Sequence, residues 1–216
     1  MRGFWIGVAA LLVAASSGAA GRAALPGTGG VRSHSARASA PVAVQIVARW
    51  ALEGDAAGKP FAIVDKPGAR LYVFDAGGRL AGSSVALLGL TRGDASAPGV
   101  GQRVLSGIPP EQRTTPAGRF ESEPGHNNHG EAVVWVDYDA ALAIHRLRPA
   151  PKAQRRPQRL ASPSAADNRI SLGCVVVAGD FYDRVVAPLL GHRRGVVYVL
   201  PDTLAWTDVF SAAAGG

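Results

Sequence analysis

The sequence predicts a mainly β protein, a sandwich or barrel with one short helix late in the chain and one long basic loop. Three observations carry this. The 216 residues include 27 Gly and 15 Pro, which punctuate strands and break helices. Hydrophobic residues make up 47% and charged residues 18%, enough for one good core. Short apolar runs, such as Arg70-Leu71-Tyr72-Val73-Phe74, alternate with the period of a strand.

The first 20 residues have the organisation of a secretory signal. Arg2 supplies the positive end, and residues 4–15 form an apolar run shorter than a membrane span. Small residues follow, with cleavage sites at Ser17-Gly18-Ala19 or Ala20-Gly21-Arg22-Ala23. A retained membrane anchor is the alternative. A lipoprotein is not expected, because no cysteine lies near the cleavage site. The mature chain is expected outside the cytoplasm, with membrane contact only through the signal. Residues 21–58 are a linker and N-terminal segment, in which 42–52 is a first strand or a short helix. The body spans 59–201, and 202–216 is a weakly structured tail.

The body opens with strands at 61–65 and 70–74, joined through Lys66-Pro67-Gly68. The turn Asp75-Ala76-Gly77-Gly78 leads to a third strand over 80–88. Residues 89–118 are polar and rich in turns, and another strand begins near Arg119. Further strands follow at 132–136 and 140–145. Residues 146–167 form an insertion-like loop with Pro149, Pro151, Pro157 and Pro163 among basic residues. A strand at 175–177 leads to an amphipathic helix with Asp180 as its N-cap and Gly191 as its stop. Residues 195–200 form the last strand.

The formal net charge is +7. Its basic residues gather partly between 146 and 159, with no aromatics to stack on bases, so nucleic acid is not the expected partner. An anionic polymer such as a cell-wall glycan suits the charge equally well. The basic loop is either a solvated insertion or a lid over a site.

Cys174 is the only cysteine. A lone cysteine in an oxidising compartment has no internal disulfide partner. It is a buried inert residue, an intermolecular bridge or a nucleophile. Its place between Gly173 and a strand start favours the nucleophile. A free thiol has a pKa of about 8.5, so it needs a base to give thiolate at neutral pH. Of the five histidines, His145 closes an apolar strand and is the best aimed; a satisfied strand-end histidine is the other reading. His126-Asn127-Asn128-His129 has metal-like spacing but too few donors for a site, so no metal is expected; the loop edges a cleft at most.

Four pieces in order resemble the L,D-transpeptidase catalytic domain, also called the YkuD family. They are the 61–88 meander, Thr115-Pro116-Ala117-Gly118-Arg119-Phe120, Ile144-His145 and Ser171-Leu172-Gly173-Cys174. The resemblance spans about 61–200. It implies a YkuD-like fold, no cofactor, and peptidoglycan stem peptides as partners. It implies Cys174 as nucleophile and His145 as base, with an oxyanion held by the amides of Leu172, Gly173 and Cys174. Ser171, Arg169, Asn168 and Arg146 then lie at the substrate, although Asn168 and Arg169 could instead brace the loop. Arg146 follows the histidine where the family has Gly or Ser. Leu172 replaces the family's second histidine, and Val176 replaces its Arg or Asn. The gap from His145 to Cys174 is longer than usual. The alternatives are a non-catalytic wall-binding protein of the same fold and an unrelated secreted cysteine hydrolase.

Overall fold

The computed structural model describes residues 40–211. The expected signal and most of the linker lie outside the described residues. Within them, β1 (Phe61–Asp65), β2 (Arg70–Phe74) and β3 (Leu80–Val85) form the expected meander, with Phe61 opposite Phe74 and Tyr72 opposite Ser83. Then come β4 (Leu88–Gly89), β5 (Gly118–His126), β6 (Ala132–Asp137), β7 (Leu142–Arg146), β8 (Arg169–Ser171), β9 (Val175–Val177) and β10 (Gly195–Val199). Eight strands make one sheet in the order β3-β2-β1-β10-β5-β6-β7-β9, and β4 pairs separately with β8.

The expected third strand over 80–88 divides in two. After β3 the chain leaves β2, and Leu87 bridges Val176 through two hydrogen bonds of 2.8 and 2.9 Å. This joins the free edge of β9 to the chain leaving β3, so the sheet nearly closes into a barrel. Gly89 then passes so near the 113–115 backbone that a Cβ would lie 2.5 Å from the Arg113 carbonyl oxygen. Only glycine fits there.

Period-two alternation sorts the strands between two cores. Ala62, Val64, Leu71, Val134, Ile144 and Val197 point into the barrel. Onto them the helix α3 (179–190) lays Tyr182, Val186 and Leu190. Phe61, Ile63, Tyr72, Phe74 and Tyr198 point outward into a second cluster. Helix α1 (Val42–Trp50) covers that cluster with Val44, Val47 and Ala48, which follow helical spacing and settle the choice between strand and helix. Burying a Phe or Val side chain contributes roughly 1.5–3 kcal/mol.

Three further expectations are corrected. The basic loop holds a short helix, α2 (Arg156–Ala161), with a proline in its first turn, where the missing N–H costs no helical bond. Asp180 does not cap α3: the flanking residue is Ala178, and Asp180 lies inside the first turn, pairing with Arg184 at 2.6 Å. The described part of the tail is structured: α4 (Trp206–Val209) leads to Phe210, buried beside Trp50 and Tyr198. The central turn of α3 is π-wound ahead of Pro188, which has no amide to bond the preceding turn. Gly191 ends the helix as expected, for reasons of space: a Cβ there would lie 2.8 Å from the Ala187 carbonyl oxygen.

Candidate active site

β7 and β9 run parallel, with Ile144 beside Val175, His145 beside Val176 and Arg146 beside Val177. Leu142, Ile144, Val175 and Val177 enter the barrel core. The alternate residues Ala143, His145, Cys174 and Val176 therefore share the outer face. One step back in the same register, Cys174 lies beside Ala143, so its Cα is about 8 Å diagonally from that of His145. Parallel neighbours need a crossover of a dozen or more residues. The long basic segment between His145 and Cys174 is that crossover.

The backbone around the thiol is held from two sides. Gly173 has φ +141°, and a Cβ there would sit 3.0 Å from the Thr114 carbonyl oxygen. Thr115 Oγ1 donates to the Gly173 carbonyl at 2.7 Å and accepts from the Gly89 amide at 2.9 Å. Ser171 Oγ accepts from the Gly173 amide at 3.1 Å and donates to the Cys174 carbonyl at 2.7 Å. Thr115-Pro116-Ala117-Gly118 and Ser171-Leu172-Gly173-Cys174, far apart in sequence, are thus one hydrogen-bonded unit. Of the three amides expected at an oxyanion, that of Gly173 is spent on Ser171, and that of Cys174 lies beside its own sulfur.

His145 is 9% exposed, and its Nδ1 lies 2.8 Å from the Arg146 carbonyl oxygen. A carbonyl only accepts, so Nδ1 carries the proton and Nε2 is the basic nitrogen. Burial lowers the imidazole pKa to about 4; the Arg146 carbonyl and Glu131 oppose this, and Arg148 and Arg156 add to it. Burial raises the Cys174 thiol, against the Ala143 amide and the same two arginines. The thiol donates to the Ala141 carbonyl at 3.3 Å. The resting pair is therefore a neutral thiol and a neutral imidazole.

The four side chains expected at the substrate divide by place. Ser171 ties down the cysteine loop. Asn168 is buried and donates to the Arg159 carbonyl. Arg169 bonds both oxygens of Asp202 and the Lys66 carbonyl. Bracing is thus the role occupied by Asn168 and Arg169. Arg146 contributes its carbonyl to the site, while its guanidinium lies 5.0 Å over the Tyr182 ring and 2.8 Å from Asp183.

Sequence reasoning missed Arg148 and Arg156, whose fields act on both Cys174 and His145. Arg148 Nε lies 2.7 Å from Glu131, an ion contact without hydrogen-bond alignment. Glu131 also accepts from Asn127 at 2.7 Å, so the 126–129 loop does reach the edge of the site. The basic run was visible in the sequence; which arginines turn inward depends on how α2 folds back. Among the described residues no three His, Cys, Asp or Glu side chains form a metal-binding group.

No protein-family model matches the chain, and no curated protein matches it. Among solved structures it is similar to the helical cell shape determining protein Pgp2 from Campylobacter jejuni, at 14% identity and a TM-score of 0.43. The match covers 81% of this chain and 62% of that one, so this chain spans about three-fifths of its neighbour's length. The thiol and the imidazole stand on their own geometry.

Proposed function

We propose that the chain is a cysteine acyl transferase of the L,D-transpeptidase kind, acting outside the cytoplasm on peptidoglycan stem peptides. One observation carries the chemistry: Cys174 and His145 share one face of two adjacent parallel strands, and the Arg146 carbonyl fixes the tautomer that leaves Nε2 basic. The motif resemblance carries the substrate class. In the first half-reaction Nε2 takes the thiol proton as sulfur attacks the peptide carbonyl. The imidazolium returns that proton to the leaving amine, and a thioester remains. An acceptor amine then attacks the thioester, and the proton it loses passes through His145 back to sulfur. Water as acceptor gives a carboxypeptidase outcome. Val176 is buried against Leu87, so positive charge at the substrate comes from Arg148 and Arg156 of the crossover instead.

The test is mass spectrometry of the protein with a carbapenem, which acylates such enzymes. The expected result is an adduct that disappears in Cys174→Ala. A second reading, a non-catalytic wall-binding protein, is favoured by the raised thiol and by its bond to the Ala141 carbonyl instead of the imidazole. Absence of any adduct, with a competent enzyme reacting alongside, selects that reading.

A further inference from the structure

β5 changes partner midway. Over Gly118–Ser122 it pairs with β10, and from Glu123 to His126 it pairs with β6. Where the partner changes, the end of β6 departs, and a groove opens between 119–123 and 135–139, with Lys59 and Arg194 also lining it. Trp135 and Tyr138 stack in it at 4.7 Å and 27°. The pair is firmly mounted: a Cβ on Gly125 would lie 2.5 Å from the Trp135 ring, so the indole rests on bare backbone. Tyr138 is 55% exposed. Partial burial and then the Glu123 carboxylate push its phenol up, so it stays a hydrogen-bond donor.

The charges are mixed, and the two glutamates are paired. Lys59, Arg119 and Arg194 face Glu121, Glu123, Asp137 and Asp139, three cations against four carboxylates. Lys59 and Arg119 both pair with Glu121, and Arg194 pairs with Glu123. In a chain of net charge +7 this groove is locally near neutral, which disfavours a polyanion. An exposed aromatic face framed by carboxylates and guanidiniums suits a ligand with an apolar ring face and a rim of hydroxyls. We infer that this groove binds a neutral sugar chain, with a pyranose ring stacked on Tyr138.

The groove lies in the same row of the sheet as the thiol. Glu123 lies opposite Trp135, and Trp135 opposite Ala143, in one row across the outer face. The same row continues to Cys174. Two strand spacings put the Cα of Trp135 about 10 Å from that of Cys174. The turn after Tyr138 leads directly to Ala141, whose carbonyl holds the thiol. A glycan in the groove would therefore carry its substituents toward Cys174. The binding itself does not depend on the acyl-transfer reading.

The probe is a soluble oligomer of β-1,4-linked N-acetylglucosamine, titrated into protein while indole N–H resonances are followed by NMR. The expected result is saturable binding that shifts the Trp135 indole and leaves those of Trp50 and Trp206 in place. Tyr138→Ala, on an exposed turn, should weaken binding about tenfold, as loss of one ring stack does. Cys174→Ala should bind as the unmodified chain does, which separates this site from the carbapenem test. No saturable binding, equal affinity in Tyr138→Ala, or shifts at Trp206 in place of Trp135 would overturn the inference.

Discussion

His145 links the proposed chemistry to folding stability. Its imidazole has a pKa of about 4 in the folded chain and about 6.5 when unfolded. Between these values the unfolded state binds the proton first, so stability is lost as pH falls from about 6.5 to about 4, and is fully present above that window. The difference amounts to about 3 kcal/mol. Urea unfolding at pH 7 and near pH 4.5 should show that loss, and His145→Asn should reduce it; an equal loss in the variant would mean the ring is not held neutral. The meeting of Cys174 and His145 on one face was legible in the sequence because each had few rivals. The partners of Arg169 were not, because Lys66 and Asp202 lie in distant segments.

The short segment around Thr115 decides the shape of the cysteine loop. One hydroxyl serves two buried backbone groups, the Gly173 carbonyl and the Gly89 amide. Thr115→Val keeps the shape and orphans both, at about 1–3 kcal/mol for each group. Unfolding midpoints should show the loss, and carbapenem acylation should slow as the loop loosens. The sequence predicted a turn here but not what it touches, because a turn motif encodes local dihedrals and no tertiary partner. The split of the third strand was hidden for a related reason: the 80–88 pattern is continuous, and Leu87 leaves β2 only to meet β9. Asp180 had the chemistry of a cap but stands two residues inside α3.

At the scale of the whole molecule, a buried ionic cluster ties the turn after β1 and the segment after β10 to the middle of the chain. Lys66 is 0% exposed, and its ammonium reaches the Gly93 carbonyl at 2.6 Å, Thr115 carbonyl at 2.7 Å and Asp94 at 2.8 Å. Asp202 stands 3.6 Å away and holds Arg169. Burial pulls the lysine pKa down, while its carboxylates resist. Burial alone would raise Asp94, but Lys66, Thr203 and the 202–204 backbone hold it well below the usual carboxylate range. Lys66→Met leaves Asp94 buried without its counter-ion and Asp202 with Arg169 alone, so denaturant unfolding should show a loss of about 3–5 kcal/mol. Removing Arg184 from its exposed pair with Asp180 should cost at most about 1 kcal/mol. The sheet-rich class was legible from Gly, Pro and alternation. The near-closure of the barrel and the docking of Phe210 were not, since both join parts of the chain that share no local pattern.

The crossover between β7 and β9 has a temporal side as well. Hairpins such as β1–β2 close over a few residues, whereas β9 must find β7 across the whole 147–174 segment, the slower kind of pairing. Until it does, the cysteine is an ordinary thiol on an open chain, with no imidazole beside it. Reactivity is thus expected to be among the last properties the chain acquires as it matures.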